Sequence, residues 1–289
     1  MGLMPASWLI VVASLLFATM GVCVKLAAAQ YGSGEIVMYR GLVGALMIGA
    51  MSRWRGDSLR TALPAQHFLR SLTGVTALCL WFYAIGELPL ATAMTLNYTS
   101  SLWIALFLVG SASVFGTKPV GRRLVFAALL GFIGVVLVLR PTIEQEQLWY
   151  GLVGLLSGIV SATGYLQVTA LGRVGETESQ IVFYFSIGGV LGGAALSSLT
   201  GWHTHSWRGV GLLLAVGVLA TVAQLMLTRA YARGRTLVNA SLQYLGIGFS
   251  FVYGVVLFDD RVTWIAVLGM LLIVGAGVRA TMLRTPASP

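Results

Sequence analysis

Two cations and a band of polar and aromatic side chains carry whatever chemistry this chain can do. Arg40 lies about a turn and a half beyond Glu35 inside an apolar stretch, and Lys25 lies near the end of the stretch before it. Charge in a hydrocarbon setting is costly and is kept where it pairs or works. Together the two would attract or bind a carboxylate or a phosphate. The structural alternative has Arg40 paired with Glu35 or capping carbonyls, and Lys25 extended to an interface along its aliphatic stem. A second constellation joins Trp81, Tyr83, Asn97, Tyr98, Ser101 and Trp103 in one part of the chain to Gln224, Asn239, Gln243 and Tyr244 in another. An amide without a partner in apolar surroundings costs several kcal/mol, so Asn97 and Gln243 must bond to another helix, to water or to a ligand.

Other chemistries lack their residues. His67, His203 and His205 fall at the ends of apolar stretches or in gaps, Cys23 and Cys79 are isolated, and no Asp or Glu falls in the middle of a stretch. Nothing there assembles a nucleophile with a base, or a metal-ligand set. No Gly-Lys-Ser/Thr loop is present to cradle a nucleotide phosphate. The expectation is a protein that is not an enzyme and uses no cofactor or metal. The missing carboxylate also removes the usual carrier for proton coupling.

The elements that must position these residues are ten apolar stretches: Ser7 to Ala29, Glu35 to Ser52, His67 to Ile85, Ala91 to Phe115, Val120 to Leu139, Trp149 to Leu171, Ser179 to Thr200, Val210 to Tyr231, Leu237 to Phe258 and Thr263 to Met282. A bilayer core about 30 Å thick takes roughly 20 apolar residues per helical crossing, and 289 residues that are 57% hydrophobic and 9% charged leave little for anything else. Backbone polar groups must be satisfied within the segment, and there is no dyad alternation, so the stretches read as helices. The fold class is an all-α membrane protein with ten transmembrane helices.

The net charge of +9 is explained by placement. With the N-terminus inside, thirteen Lys and Arg, Arg70 and Arg229 among them, fall in the inner gaps and the tail, against four in the outer gaps. That asymmetry follows the positive-inside rule. It points to a multi-pass protein of the cell membrane (bacterial inner membrane) with cytoplasmic N- and C-termini, whose macromolecular partner is the lipid bilayer and not nucleic acid. Trp54, Trp149, Trp202 and Trp207 near span ends read as an interfacial belt. Small-residue spacings such as Gly154 to Gly158, and Gly188, Gly189, Gly192 and Gly193, favour packing within the monomer over a homodimer, which stays open.

The second half repeats the first. At an offset of 146 residues, Leu96, Asn97 and Tyr98 fall on Leu242, Gln243 and Tyr244, and Ala84 falls on Ala230. Upstream the offset drifts to about 143, placing Glu35 on Glu178. Residues 1–144 and 145–289 then form two units of five spans each. An odd number of crossings makes the second unit enter from the opposite side, which gives two inverted five-helix repeats. Such repeats place a substrate site near the midplane, between the units.

With the repeat in view, the chain resembles the EamA-type permeases of the drug/metabolite transporter superfamily, which carry two EamA domains. The resemblance rests on Lys25, Tyr39-Arg40, the run from Leu88 to Ala93 and the run from Gly134 to Pro141. In the second half it rests on Ala230, Leu237 to Tyr244 and Gly269 to Gly275. Family members often carry proline in the middle of the fourth and ninth helices, where this chain has Ser101 and Ile247. Whether those helices break at mid-membrane is therefore left open. The resemblance implies a permease for a small-molecule metabolite working by alternating access. Amino acids and related organic anions lead, because cations and aromatics both face the expected path. The competing class is a non-transport membrane protein, either an intramembrane enzyme or a structural or sensor protein.

An even number of crossings makes a topological prediction. Single cysteines replacing Ser7 and Ser288, in a background with Cys23 and Cys79 replaced, are expected to react with an impermeant thiol reagent from the same, cytoplasmic face of oriented vesicles. Labelling from opposite faces would contradict the arrangement.

Overall fold

The computed structural model describes residues 6–114, 147–233, 242–261 and 263–282, with 126, 130, 131, 133, 134, 136, 137 and 239. The fifth stretch lies largely outside the described residues, as do the gaps around Gly116 and Arg235. The helices are α1 (Ala6–Ala28), α2 (Ser33–Arg55), α3 (Pro64–Glu87), α4 (Leu90–Tyr98), α5 (Ser100–Val114), α6 (Leu148–Arg173), α7 (Glu178–Thr200), α8 (Trp207–Arg233), α9 (Leu245–Phe258) and α10 (Trp264–Met282). No strand occurs among the described residues. Six of the helices are long and apolar enough to cross a membrane.

Local chemistry sets their ends. Pro64 opens α3, where a missing N–H has no cost. Thr177 and Gln180 form a reciprocal capping box at the start of α7, the Thr177 hydroxyl accepting from the Gln180 N–H at 3.2 Å and the Gln180 side chain accepting from the Thr177 N–H at 2.8 Å. Gly56, at φ 73°, takes the left-handed turn that closes α2.

The fourth span is interrupted without a proline. α4 ends at Tyr98 and α5 begins at Ser100, with Thr99 between them donating its hydroxyl to the Leu96 carbonyl at 2.6 Å. A threonine hydroxyl that bonds back to its own helix competes with the backbone ladder and bends it. At the corresponding place in the second half, Gln243 and Tyr244 form a turn before α9, with Gly246 N–H to Gln243 O at 2.9 Å and Ile247 N–H to Tyr244 O at 3.0 Å. Those i→i−3 bonds mark a tightened turn. The two breaks thus fall within two residues of each other in the repeat alignment.

Packing is dense and reciprocal. α2 lies on α7, α1 on α8 and α3 on α6. Exchanging each first-half helix for its second-half counterpart maps these contacts onto one another. α1 with α8 becomes α6 with α3, α2 with α8 becomes α7 with α3, α1 with α9 becomes α6 with α5, and α2 with α7 returns itself. The two self-paired helices run antiparallel, since Gly34 faces Gly193 and Ser197 while Gly44 faces Ser186. Their backbones touch. A Cβ on Gly41 would stand 2.5 Å from the Ser186 carbonyl, and one on Gly193 would stand 2.5 Å from the Met38 nitrogen. Gly158 likewise lets α6 lie against the Leu96 and Asn97 carbonyls at the break. The small-residue spacings therefore serve contacts inside the chain.

Overfilling such a seam costs about 1–3 kcal/mol or more. Gly41→Val is expected to lower the apparent melting temperature of the detergent-purified protein by several degrees. Gly211→Val, where a Cβ meets nothing within 4 Å, is expected to leave it unchanged. Equal melting temperatures for the two variants would show that the α2–α7 seam yields.

Candidate functional site

Where α2, α3 and α7 meet, two arginines share one aromatic ring. The Arg40 guanidinium carbon lies 5.1 Å from the Phe185 centroid and that of Arg70 lies 4.2 Å from it. Both residues are 4% exposed. Arg40 donates to the Gln224 side-chain carbonyl at 3.5 Å, a long bond, and no Asp or Glu of the described residues pairs with either arginine. Arg70 fits because Gly74, one turn on, leaves the space its guanidinium fills, with Gly164 of α6 across from it.

A central cavity of about 40 Å³ opens beside this pair, its lining including Phe17, Arg70, Trp81, Asn97, Tyr98, Ser161, Tyr165, Phe185 and Gln224. The Asn97 amide donates to Ser157 and Ser161 at 3.0 and 3.2 Å, which ties the break in the fourth span to α6. Tyr165 stacks on Tyr231 at 5.1 Å, and the Tyr231 hydroxyl donates to the Gln243 side-chain carbonyl at 3.3 Å. The Tyr98 ring lies against Gly246, so each half reaches the break of the other. Buried donors are left over among the described residues: Arg40 Nε, Arg70 Nε and Nη1, Trp81 Nε1 and Gln243 Nε2 have no hydrogen-bond partner, and neither has the Tyr98 hydroxyl.

The residues singled out from sequence divide into groups. Arg40, Trp81, Asn97, Tyr98 and Gln224 stand at or beside the cavity, and Gln243 joins them through Tyr231. Tyr244 and Ser101 are buried at the two breaks. Asn239 donates to the Ala230 carbonyl, and Trp103 packs against Phe107. Lys25 keeps other company, donating to the Leu88 carbonyl at 2.6 Å and lying 3.9 Å from Asp260, which accepts the Leu90 N–H. Tyr83 pairs with Tyr150 on an exposed face. Glu35 does not meet Arg40. Arg70, Tyr165 and Phe185 are additions to the sequence reading. Arg70 reads in the sequence as one of the gap cations, yet it lies in the second turn of α3, and the glycine four residues on is the signal that sets it apart.

Both ends of the bundle are fastened. At one, the fully buried Glu35 carboxylate accepts the His203 N–H at 3.0 Å, meets His203 Nδ1 at 2.6 Å and accepts the Gly32 N–H at 3.1 Å. At the other, Glu176 accepts the Thr61 hydroxyl at 2.7 Å and meets His67 Nε2 at 2.9 Å. The first clasp joins the α7–α8 connection to the start of α2, and the second joins the α6–α7 connection to the start of α3.

Comparison with known proteins agrees with this architecture. Residues 4–140 match the EamA-like transporter family. The pseudopaline exporter of Pseudomonas aeruginosa is 30% identical over 268 residues, covering 93% of each chain. The riboflavin transporter of Rhizobium johnstonii is 27% identical over 61% of this chain and 56% of its own. Solute carrier family 35 member G1 of Mus musculus is 23% identical over 75% of this chain and 61% of its own. A crystal structure superposes with a TM-score of 0.69 over 96% of this chain and 98% of its own at 21% identity, a likeness of fold. The class is that of multi-pass membrane transporters. Within it, this chain belongs to the EamA-type permeases of the drug/metabolite transporter superfamily.

The clasp at Glu35 makes a prediction. Glu35→Ala removes the acceptor for three contacts, and a cysteine replacing Ser161 in the cavity, again without the native cysteines, is expected to react several-fold faster with a soluble thiol reagent. An unchanged rate would mean that this end is held by other contacts.

Proposed function

We propose that this permease is a secondary transporter that carries a small organic anion, an amino acid or a related acid, across the cytoplasmic membrane by alternating access. One observation carries the reading: two buried arginines beside the central cavity have no carboxylate partner among the described residues. A buried, unpaired ion costs several kcal/mol even after relaxation. A guanidinium bonded to an oxyanion makes a strong, charge-assisted contact. An anion bound there offsets a penalty that the empty site bears.

The alternating part of the reading draws on the paired packing. Reciprocal contacts and an antiparallel α2–α7 seam support two inverted units, residues 1–144 and 145–289, about an axis in the membrane plane. For helices standing along the membrane normal, an axis along that normal would leave α2 and α7 parallel. The clasps at the two ends lie on corresponding connections and suit gates that open in turn. The named relatives, an exporter of pseudopaline and transporters of riboflavin, support a small-molecule substrate. No Asp or Glu lines the cavity among the described residues, which favours facilitated transport or exchange over proton coupling through a carboxylate. The charge asymmetry between gaps supports cytoplasmic termini.

The test is flux of labelled organic acids into proteoliposomes. Arg40→Ala is expected to lower it about tenfold or more, the scale of a lost charged hydrogen bond, and Gln243→Leu is expected to lower it less. Both variants should keep the size-exclusion profile of the parent. Parental flux in both would remove these residues from the path.

A further inference from the structure

Resting on the reading of the central cavity as the transport site, we infer that its substrate presents two negative charges on acceptor oxygens, as two neighbouring carboxylates or as one phosphate, and carries no positive charge. Three observations converge on this. The first is charge balance. Arg40 and Arg70 lie over one Phe185 ring, so their guanidinium carbons cannot be farther apart than the sum of 5.1 and 4.2 Å. Like charges that close repel in a poorly screened interior. A zwitterion would leave both cations uncompensated and a monoanion would leave one. A dianion neutralises the site.

The second is the sense of the unused hydrogen bonds. Arg40 Nε, Arg70 Nε and Nη1, Trp81 Nε1 and Gln243 Nε2 can only donate. Of the nearby amide carbonyls, that of Gln224 faces Arg40 and that of Gln243 accepts from Tyr231, which leaves the Asn97 carbonyl as the amide acceptor open to the cavity. A substrate ammonium would find more unpartnered donors than acceptors, with two guanidinium groups among them. An oxyanion with several lone pairs satisfies the set.

The third is size. About 40 Å³ holds roughly three waters, at the 10–15 Å³ that one requires. That suits a compact oxyanion head group held by the planar guanidinium forks. An uncharged remainder would meet the aromatic side chains of Phe17, Trp81 and Tyr165 in the lining.

A four-carbon series separates charge from shape. Full-length protein in detergent would be melted at pH 8 and constant ionic strength with millimolar succinate, butyrate or 4-aminobutyrate, and separately with inorganic phosphate. The expected result is a raised melting temperature with succinate, with phosphate or with both, and little change with butyrate or 4-aminobutyrate. Stabilisation by succinate alone identifies paired carboxylates, and by phosphate alone a phosphate head. Arg70→Gln is expected to weaken the stabilising dianion about tenfold or more while leaving butyrate unchanged. Should that variant fail to fold, the wild-type ratio of dianion to butyrate affinity, read by titration calorimetry, decides the matter by itself. Butyrate or 4-aminobutyrate binding as well as the dianions, or no response to any of the four, overturns the proposal. Arg40-dependent flux of a monocarboxylate with no dianion preference would sink this inference and leave the transport reading standing. Selective dianion binding without flux would do the reverse.

Discussion

The rest of the structure depends on how closely α2 and α7 approach. Gly34, Gly41 and Gly193 remove side chains from the seam, so backbone meets backbone where Leu or Val would hold the helices several ångströms apart. In a bilayer, where lipid is as apolar as the helices, such close van der Waals packing is what associates them. Arg40 precedes Gly41, and Phe185 precedes Ser186, the residue whose carbonyl Gly41 touches. The same contact that joins the helices thus lays the Arg40 guanidinium over the Phe185 ring. α3 then adds Arg70 from the other side of the shared corner, through its packing on α7.

Around that corner each polar group is answered or left open in a pattern. Serine, threonine and asparagine side chains turn to nearby carbonyls and to each other, as a medium without water demands. Asn97 bonds two serines of α6, Thr95 and Ser250 bond back one turn, and Lys25 closes the junction of α3 and α4. Among the described residues, the buried groups without a hydrogen-bond partner near the centre include the N–H donors of Arg40, Arg70, Trp81 and Gln243 together with the hydroxyls of Tyr98, Ser100 and Tyr244.

Much of the architecture was legible in the chain. Long apolar runs without alternation can only be helices in lipid, and the internal repeat points to paired units. The site was legible only in part. Arg40, Trp81, Asn97, Tyr98 and Gln224 announced themselves as polar or aromatic residues in apolar runs. Arg70 did not, because a cation near the start of a span looks like every other cation that marks a membrane face, and only its position two turns inside α3 separates it from them. Phe185 and Tyr165 carry no polarity signal at all, since their part depends on which helix stands opposite. Lys25 and Arg40 look alike in one dimension and differ in three, because Asp260 comes from a distant segment to meet the first while no acidic side chain among the described residues meets the second. The break in the fourth span was hidden too, since Thr99 rather than proline makes it.

The clasps, the breaks and the helix contacts come in corresponding pairs, but the arginines do not. Both belong to the first half, and by the offset that pairs Glu35 with Glu178 the chain has Phe183 in place of Arg40, while either offset puts an uncharged residue, Leu213 or Val216, in place of Arg70. The scaffold is balanced and its electric field is not. On the proposed reading, a charged solute arriving from either compartment would pass similar walls and then meet cations carried by one repeat alone, so inward and outward half-saturation constants should differ. Kinetic asymmetry in such a carrier can be inscribed by two residues, with no change to the machinery that moves.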